Sequence, residues 1–204
     1  ISLGLVGSEM CIRDRYTDVP HIDFNLSHDG DWVVMAFSRT HRVGVDVMQV
    51  ALPHFEESSA SFCRTMSSSM SRSEREWVAQ GASEADVLSR LYDVWTYKEA
   101  LTKNMGLGLG YDFARIDLRF GRDVRLAMDG RAVDTYRFRE LALPCGASSR
   151  APGSRVAIAL GPRDAWEAPM SKQAVPAQQA MDEGWLRMWT YDAWLDYARA
   201  MSGV

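Results

Sequence analysis

The stretch from Leu91 to Met105 constrains this chain most. Val94, Tyr97, Leu101 and Met105 recur at helical spacing and make one apolar stripe. Glu99 and Lys103, four apart, share a different face, with Trp95 one turn before Glu99 and Tyr92 nearby. The run Gly106-Leu-Gly108-Leu-Gly110 can take positive φ and stop the helix. Glu99 and Lys103 then read in two ways. They are a solvated Glu-to-Lys pair, or a carboxylate and an ammonium that line a site beside large aromatics.

The rest of the chain narrows what such a site serves. The 204 residues suffice for one domain, or for two small halves sharing a core, and 47% hydrophobic residues argue against general disorder. Lys and Arg number 23 against 27 Asp and Glu, a net charge of -4, which argues against nucleic acid as a partner. No apolar run is long enough to span a membrane. Cys11, Cys63 and Cys145 show neither metal spacing nor a disulfide framework, which fits a reducing cytoplasmic setting.

Residues 1–15 do not fit the pattern of the remaining chain, and Val6 to Arg15 resembles a translated sequencing adapter. The folded protein is expected to begin near Tyr16, in mid-fold. The chain then divides into a non-native segment at 1–15, a domain at 16–165 with an incomplete first half, and a linker and C-terminal helix at 166–204. Asp23 to Gly30 reads as a polar turn. Asp31 to Ser38 and Val43 to Val50 read as strands joined into a hairpin by Arg39 to Arg42. On the second of these, Val43, Val45 and Val47 face one way and Asp46 and Met48 the other. Asp46 is either a solvent-facing edge residue or a buried one that needs a partner.

Ala51 to Gly81 is expected to be helical in parts, with Ser58 to Ser73 as a surface loop, Ser73 and Glu76 as a capping box, and Ser83 as the N-cap of the Glu99 helix. Beyond Gly110 the period changes to two. Phe113 to Phe120, Val124 to Met128 and Val133 to Phe138 read as strands, the last two joined at Asp129-Gly130. Pro144 to Gly153 reads as a loop and Arg155 to Leu160 as a central strand. Pro162 to Pro176 is linker-like, and Gln179 to Met201 reads as a helix with Met181, Trp185, Met188 and Trp189 on one side.

Ser27-His28, Asp46, and Glu99 with Lys103 stand out together. Two carboxylates from different elements suit magnesium, which keeps waters and binds substrate phosphates. A lysine and a histidine can hold the same phosphates. The set points to metal-assisted chemistry at a phosphate or pyrophosphate.

The motifs Phe24-Asn-Leu-Ser-His28, Gly44-Val-Asp-Val47 and Trp95-Thr-Tyr-Lys-Glu-Ala-Leu-Thr-Lys103, followed by Gly106-Leu-Gly-Leu109, resemble the 4′-phosphopantetheinyl transferases. The match is to their larger, pseudo-two-fold type and covers Tyr16 to about Leu160. The resemblance implies an α+β fold: an antiparallel sheet packed with helices, mostly the second of two similar halves. It implies transfer of 4′-phosphopantetheine from coenzyme A to a serine of an acyl or peptidyl carrier protein, or of an aminoadipate reductase, leaving adenosine 3′,5′-bisphosphate. By the same resemblance Asp46 and Glu99 would bind magnesium, and Ser27, His28 and Lys103 would contact the coenzyme A phosphates. Lys103 would stabilise phosphate charge, and Glu99 would help deprotonate the incoming serine. The full-length protein is expected to be a cytoplasmic monomer.

Two departures stand beside the resemblance. Bacterial members often carry a glutamate where this chain has Met48, a poor magnesium ligand, so a water is expected in that place. The chain is also short for the family, as if most of the first half were missing. Apolar surface near Trp32, Met35 and Trp95 is therefore expected to be uncovered. Binding of coenzyme A is expected to be weak and turnover slight. The alternative to an enzyme is an inactive fragment that at most binds a carrier protein or coenzyme A.

Overall fold

The computed structural model describes residues 22–107, 110–144, 153–162 and 175–202. The segment 1–15, most of the expected loop at 144–153 and most of the expected linker at 162–176 lie outside them. The elements in order are β1 (Asp23–Asp29), β2 (Trp32–Ser38), β3 (Arg42–Gln49), α1 (Ser59–Met66), α2 (Arg72–Ala79), α3 (Glu84–Met105), β4 (Ile116–Arg119), β5 (Arg125–Met128), β6 (Arg131–Val133), β7 (Arg137–Leu143), β8 (Ser154–Gly161), β9 (Val175–Pro176), α4 (Ala177–Asp182) and α5 (Tyr191–Ser202). They make an α+β fold of antiparallel sheets and helices, with one parallel pair between β7 and β9.

Helix α3 forms because both of its ends are specified. The Ser83 hydroxyl accepts from the Asp86 amide at 3.2 Å. At the other end Gly106 takes φ 74°, so that its amide reaches Lys103 O at 3.1 Å and the Leu107 amide reaches Thr102 O at 3.0 Å. That pair of bonds is a Schellman cap, which satisfies the last carbonyls. The expected stripe of Val94, Tyr97 and Leu101 is buried, but burial goes further round the helix than one stripe. Thr96, Lys98, Glu99, Thr102 and Asn104 are buried too.

The reason is that α3 lies across the sheet β3-β8-β7-β9, in which β8 is central as its apolar sequence predicts. Tyr97, Ala100 and Leu101 pack with Phe138, Ala157 and Ala159. Gly44 makes the approach possible: a Cβ there would stand 2.0 Å from the Ala100 carbonyl oxygen. On the opposite face Val45, Val47, Leu141 and Val156 pack with Trp32, Val34 and Ala36 of β2 and with Ala180 and Trp185. Even residues of β3 therefore face α3, and odd ones face the β1–β2 hairpin and α4.

Several expectations are corrected. Asp23 to Gly30 is a strand, not a turn, and β2 pairs with β1 rather than with β3. Gly30, at φ 55°, and Asp31 close the β1–β2 hairpin. Strand β3 instead pairs with β8, more than 100 residues away. The serine-rich region is largely helical: Ser58 caps α1, and Phe62 anchors it in a core with Met70, Val78, Leu88 and Leu91. The capping box belongs to Ser71 and Glu74, because Glu74 is buried while Glu76 pairs with Arg72 in solvent.

Phe113–Arg115 is a 3-10 turn ahead of β4, and Val133 to Phe138 divides between β6 and β7. The Asp129-Gly130 turn is as expected, with φ of 52° and 74°. The expected C-terminal helix is two, interrupted around Gly184 at φ 77°. Trp185 carries Arg139 at 4.8 Å over its ring and Met188 packs on the body, whereas Trp189 is 42% exposed. Of the apolar surface expected near Trp32, Met35 and Trp95, only Met35 is exposed, in a row with Val33 and Phe37. The two tryptophans are half-buried.

Candidate active site

Strand β3 presents its free edge to β1, and the two meet through side chains rather than backbone pairing. Asp23 accepts from the Val43 amide at 2.6 Å, Asn25 from Val45 at 2.8 Å, Ser27 from Val47 at 3.3 Å and Asp29 from Gln49 at 2.6 Å. Every second residue of β1 thus supplies an oxygen to every second amide of β3. Those amides would otherwise be unpaired at a covered edge. This ladder also sets Ser27 beside Asp46.

The structure brings Ser27, Asp46 and Lys103 into contact. Ser27 Oγ donates to Asp46 Oδ1 at 2.9 Å. Lys103 Nζ donates to the same Asp46 Oδ1 at 2.9 Å, to Ser27 Oγ at 3.0 Å and to Val45 O at 3.3 Å. Asp46 is only 4% exposed, so it is the buried carboxylate, not an edge residue in water. Burial pushes its carboxyl up from the ordinary aspartate value, Lys103 and Ser27 push it down, and Asp29 adds to the rise.

Glu99, one turn before Lys103, is 8% exposed, which removes the solvated-pair reading. Its carboxyl is pushed up to about 7, first by burial and then by the negative charge of Asp46, against the pull of Lys103. The charge of Asp46 thus reaches Glu99 from a strand far away in sequence. Trp95 is half-buried against Phe113, ring centroids 5.2 Å apart, and the Tyr92 hydroxyl is tied to Ala51 O at 2.6 Å. Met48 lies on the same face of β3 as Asp46 and packs on the core that contains Leu91 and Tyr92.

His28 is not brought into this cluster. It alternates with Ser27 on β1, is exposed, and pairs in register with the exposed Val33 on the outer face of the hairpin.

The cluster fits a hard divalent cation. Asp46 Oδ2 is buried with no hydrogen-bond partner among the described residues, a carboxylate oxygen with its electron pairs uncommitted. The buried Glu99 carboxylate, near enough to be influenced by the charge of Asp46, would supply a second oxygen, a donor set sufficient for magnesium if water or phosphate completes the shell. Among the described residues there is no group of three or more His, Cys, Asp and Glu able to hold a metal by themselves.

The model of the 4'-phosphopantetheinyl transferase superfamily matches residues 42–157, which span β3 to β8 and contain Asp46, Glu99 and Lys103. The chain belongs to the 4′-phosphopantetheinyl transferase superfamily. It is similar to "4'-phosphopantetheinyl transferase pptA" of Paxillus involutus, 36% identical over 138 residues, 61% of this chain and 52% of that protein. It is also similar to "L-aminoadipate-semialdehyde dehydrogenase-phosphopantetheinyl transferase" of Rattus norvegicus, 27% identical over 144 residues, 66% of this chain and 46% of that protein. "4'-phosphopantetheinyl transferase Sfp" of Bacillus subtilis is 24% identical over 112 residues, 55% of this chain and 46% of that protein. The chain spans about half the length of the relatives it matches. The close approach at Gly44 and the β1 acceptors Asp23, Asn25 and Asp29 are the parts of the site that sequence reading passed over. The strict polar alternation of Asp23, Asn25, Ser27 and Asp29 was the signal for the acceptors.

Proposed function

We propose that the protein transfers the 4′-phosphopantetheine group of coenzyme A to a serine hydroxyl of a carrier protein, with adenosine 3′,5′-bisphosphate leaving. The observation that carries this reading is the pairing of a buried, uncommitted Asp46 Oδ2 with an ammonium 2.9 Å from the other oxygen of the same carboxylate. Such a pair suits a cation and a phosphate held side by side. Asp46 and Glu99 would hold magnesium, which when bound offsets charge on the pyrophosphate. Lys103 would donate to a phosphate oxygen as the phosphorus–oxygen bond to the leaving group breaks. Glu99 would also accept the serine proton, directly or through one water. Ser27 holds Asp46 and Lys103 in register and would itself approach a phosphate; His28 would contact coenzyme A from the outer face of β1.

The acceptors proposed are acyl and peptidyl carrier proteins or an aminoadipate reductase, the last by similarity to relatives named for L-aminoadipate-semialdehyde dehydrogenase. No helix among the described residues is long and apolar enough to cross a membrane. A cytoplasmic location and a monomeric state belong to the same proposal.

The test is the mass of an apo carrier protein incubated with the purified protein, coenzyme A and magnesium. Gain of one phosphopantetheine group, lost in Asp46→Asn and with chelator, supports the transferase. An unchanged carrier together with Asp46-dependent metal binding would instead identify a chain that binds metal without turnover.

A further inference from the structure

Lys103 makes three hydrogen bonds, and all of them lie within the metal-facing corner of the site: to Asp46 Oδ1, Ser27 Oγ and Val45 O. Its ammonium already neutralises the carboxylate that a divalent cation needs. Asp46 divides its oxygens, with Oδ1 taken by two donors of the chain and Oδ2 uncommitted. The Lys103 side chain is about one-fifth exposed, so it is not walled in on every side. A flexible four-carbon stem on helix α3 can shift its end while the helix, capped at Gly106, stays fixed.

We infer that Lys103 is an internal counter-ion that makes divalent-cation binding depend on phosphate. With the ammonium on Asp46 Oδ1, the carboxylate attracts a cation weakly. A pyrophosphate arriving at the site draws the ammonium onto its own oxygens, which restores the full charge of Asp46 to the cation. Metal and pyrophosphate then bind cooperatively, and each raises the affinity of the other by the same factor. The inference rests on the assignment of Asp46 and Glu99 as the cation ligands. The two oxygens of a carboxylate share one negative charge, so an ammonium held on Oδ1 weakens the attraction of Oδ2 for a cation.

The experiment is equilibrium dialysis of the whole protein against manganese, with and without inorganic pyrophosphate, in which bound metal is the excess on the protein side and the soluble manganese–pyrophosphate complex does not register. Competition by magnesium ties the result to the physiological ion. The variants are Lys103→Met, which keeps length and removes charge, Lys103→Arg, and Asp46→Asn as the control for site occupancy; thermal unfolding checks that each is folded. Without pyrophosphate, Lys103→Met should bind manganese on the order of tenfold tighter than the unchanged protein, the effect of one charge-assisted hydrogen bond on Asp46. With saturating pyrophosphate the two should converge, because the ammonium has then left Asp46 in the unchanged protein. Lys103→Arg should keep most of the difference between the two conditions. A ratio of affinities that is the same with and without pyrophosphate would overturn the inference, as would a Lys103→Met protein that binds no tighter. Absence of any binding that depends on Asp46 would overturn the metal assignment as well as this inference.

Discussion

Lys98 Nζ stands 2.6 Å from Glu74 Oε2, and both side chains are almost wholly buried. The pair is completed on all sides. Lys98 also donates to Ser69 O and Phe113 O, each at 2.8 Å, while Glu74 accepts from the Leu118 amide at 2.8 Å and the Ser71 amide at 2.7 Å. Burial pushes the Glu74 carboxyl up and the Lys98 ammonium down, so each needs the other to remain charged. Adjacent Lys98 and Glu99 thus leave α3 in different directions, and the anchoring of one fixes the aim of the other. Glu74→Ala should cost about 3–5 kcal/mol, the range for breaking a buried pair. A double-mutant cycle of Glu74→Gln with Lys98→Met in urea should give a coupling energy above ~1 kcal/mol; additive losses would show that the contact is incidental.

The side-chain ladder from β1 to β3 makes a local prediction. Asn25→Ala removes the acceptor of the Val45 amide and leaves a neighbouring backbone donor unpaired at a covered edge. The loss should be about 1–3 kcal/mol. Amide exchange distinguishes this from general loosening: Val45 should exchange faster by a larger factor than Val43, which keeps its bond to Asp23.

Met48→Glu should be tolerated. Met48 is only half-buried, and its register partner on β8 is Arg155, whose guanidinium lies on the α3 side with Asp93 at 3.3 Å. A carboxylate at 48 therefore meets a cation across the strands. It also adds an oxygen on the Asp46 face, which should raise manganese affinity and change the magnesium-to-manganese preference. Unfolding midpoints and competition titrations measure the two effects separately.

Stability without divalent cations should fall as pH rises. The Glu99 carboxyl sits at about 7 in the fold against an ordinary 4.5. Folding therefore favours the protonated form. The contribution is fully present below 4.5 and is lost as pH climbs through about 7. The loss is roughly 3 kcal/mol at most for a shift of that size. In chelator, the urea midpoint should drop between pH 5 and pH 8, Glu99→Gln should flatten the slope, and excess magnesium should restore the midpoint at pH 8 by binding the folded form alone. A flat profile in chelator would contradict the buried placement of Glu99.

The helix α3, its two caps and the central position of β8 were legible because each is specified locally: Ser83, Gly106 and the apolar run from Val156 to Leu160 carry their own signals. The motif residues Ser27, Asp46 and Lys103 were legible as a set, and the structure brings them within hydrogen-bonding distance of one another. The pairing of β3 with β8 was not, because a turn between neighbouring strands is visible in sequence and a partner beyond residue 150 is not. The outward aim of His28 follows from strand alternation, but the polar run ending in Gly30 carries the signal of a turn and hides the strand. Burial of Glu74, and with it the true capping box, depends on Lys98 one helix away, which no local pattern announces.

Because β1 meets β3 through side-chain oxygens spaced two residues apart, the two strands are aligned by a ruler whose marks differ in chemistry: carboxylate, amide, hydroxyl, carboxylate. A shift of one residue turns every mark away from β3. A shift of two in one direction would bring Asn25 to the Asp46 position, where a carboxamide would replace the hydroxyl that now donates to Asp46 Oδ1 and accepts from Lys103 at once. The corner around Asp46 is therefore assembled only when the strands are in one alignment, and the chemistry of the site doubles as a proofreader of the fold.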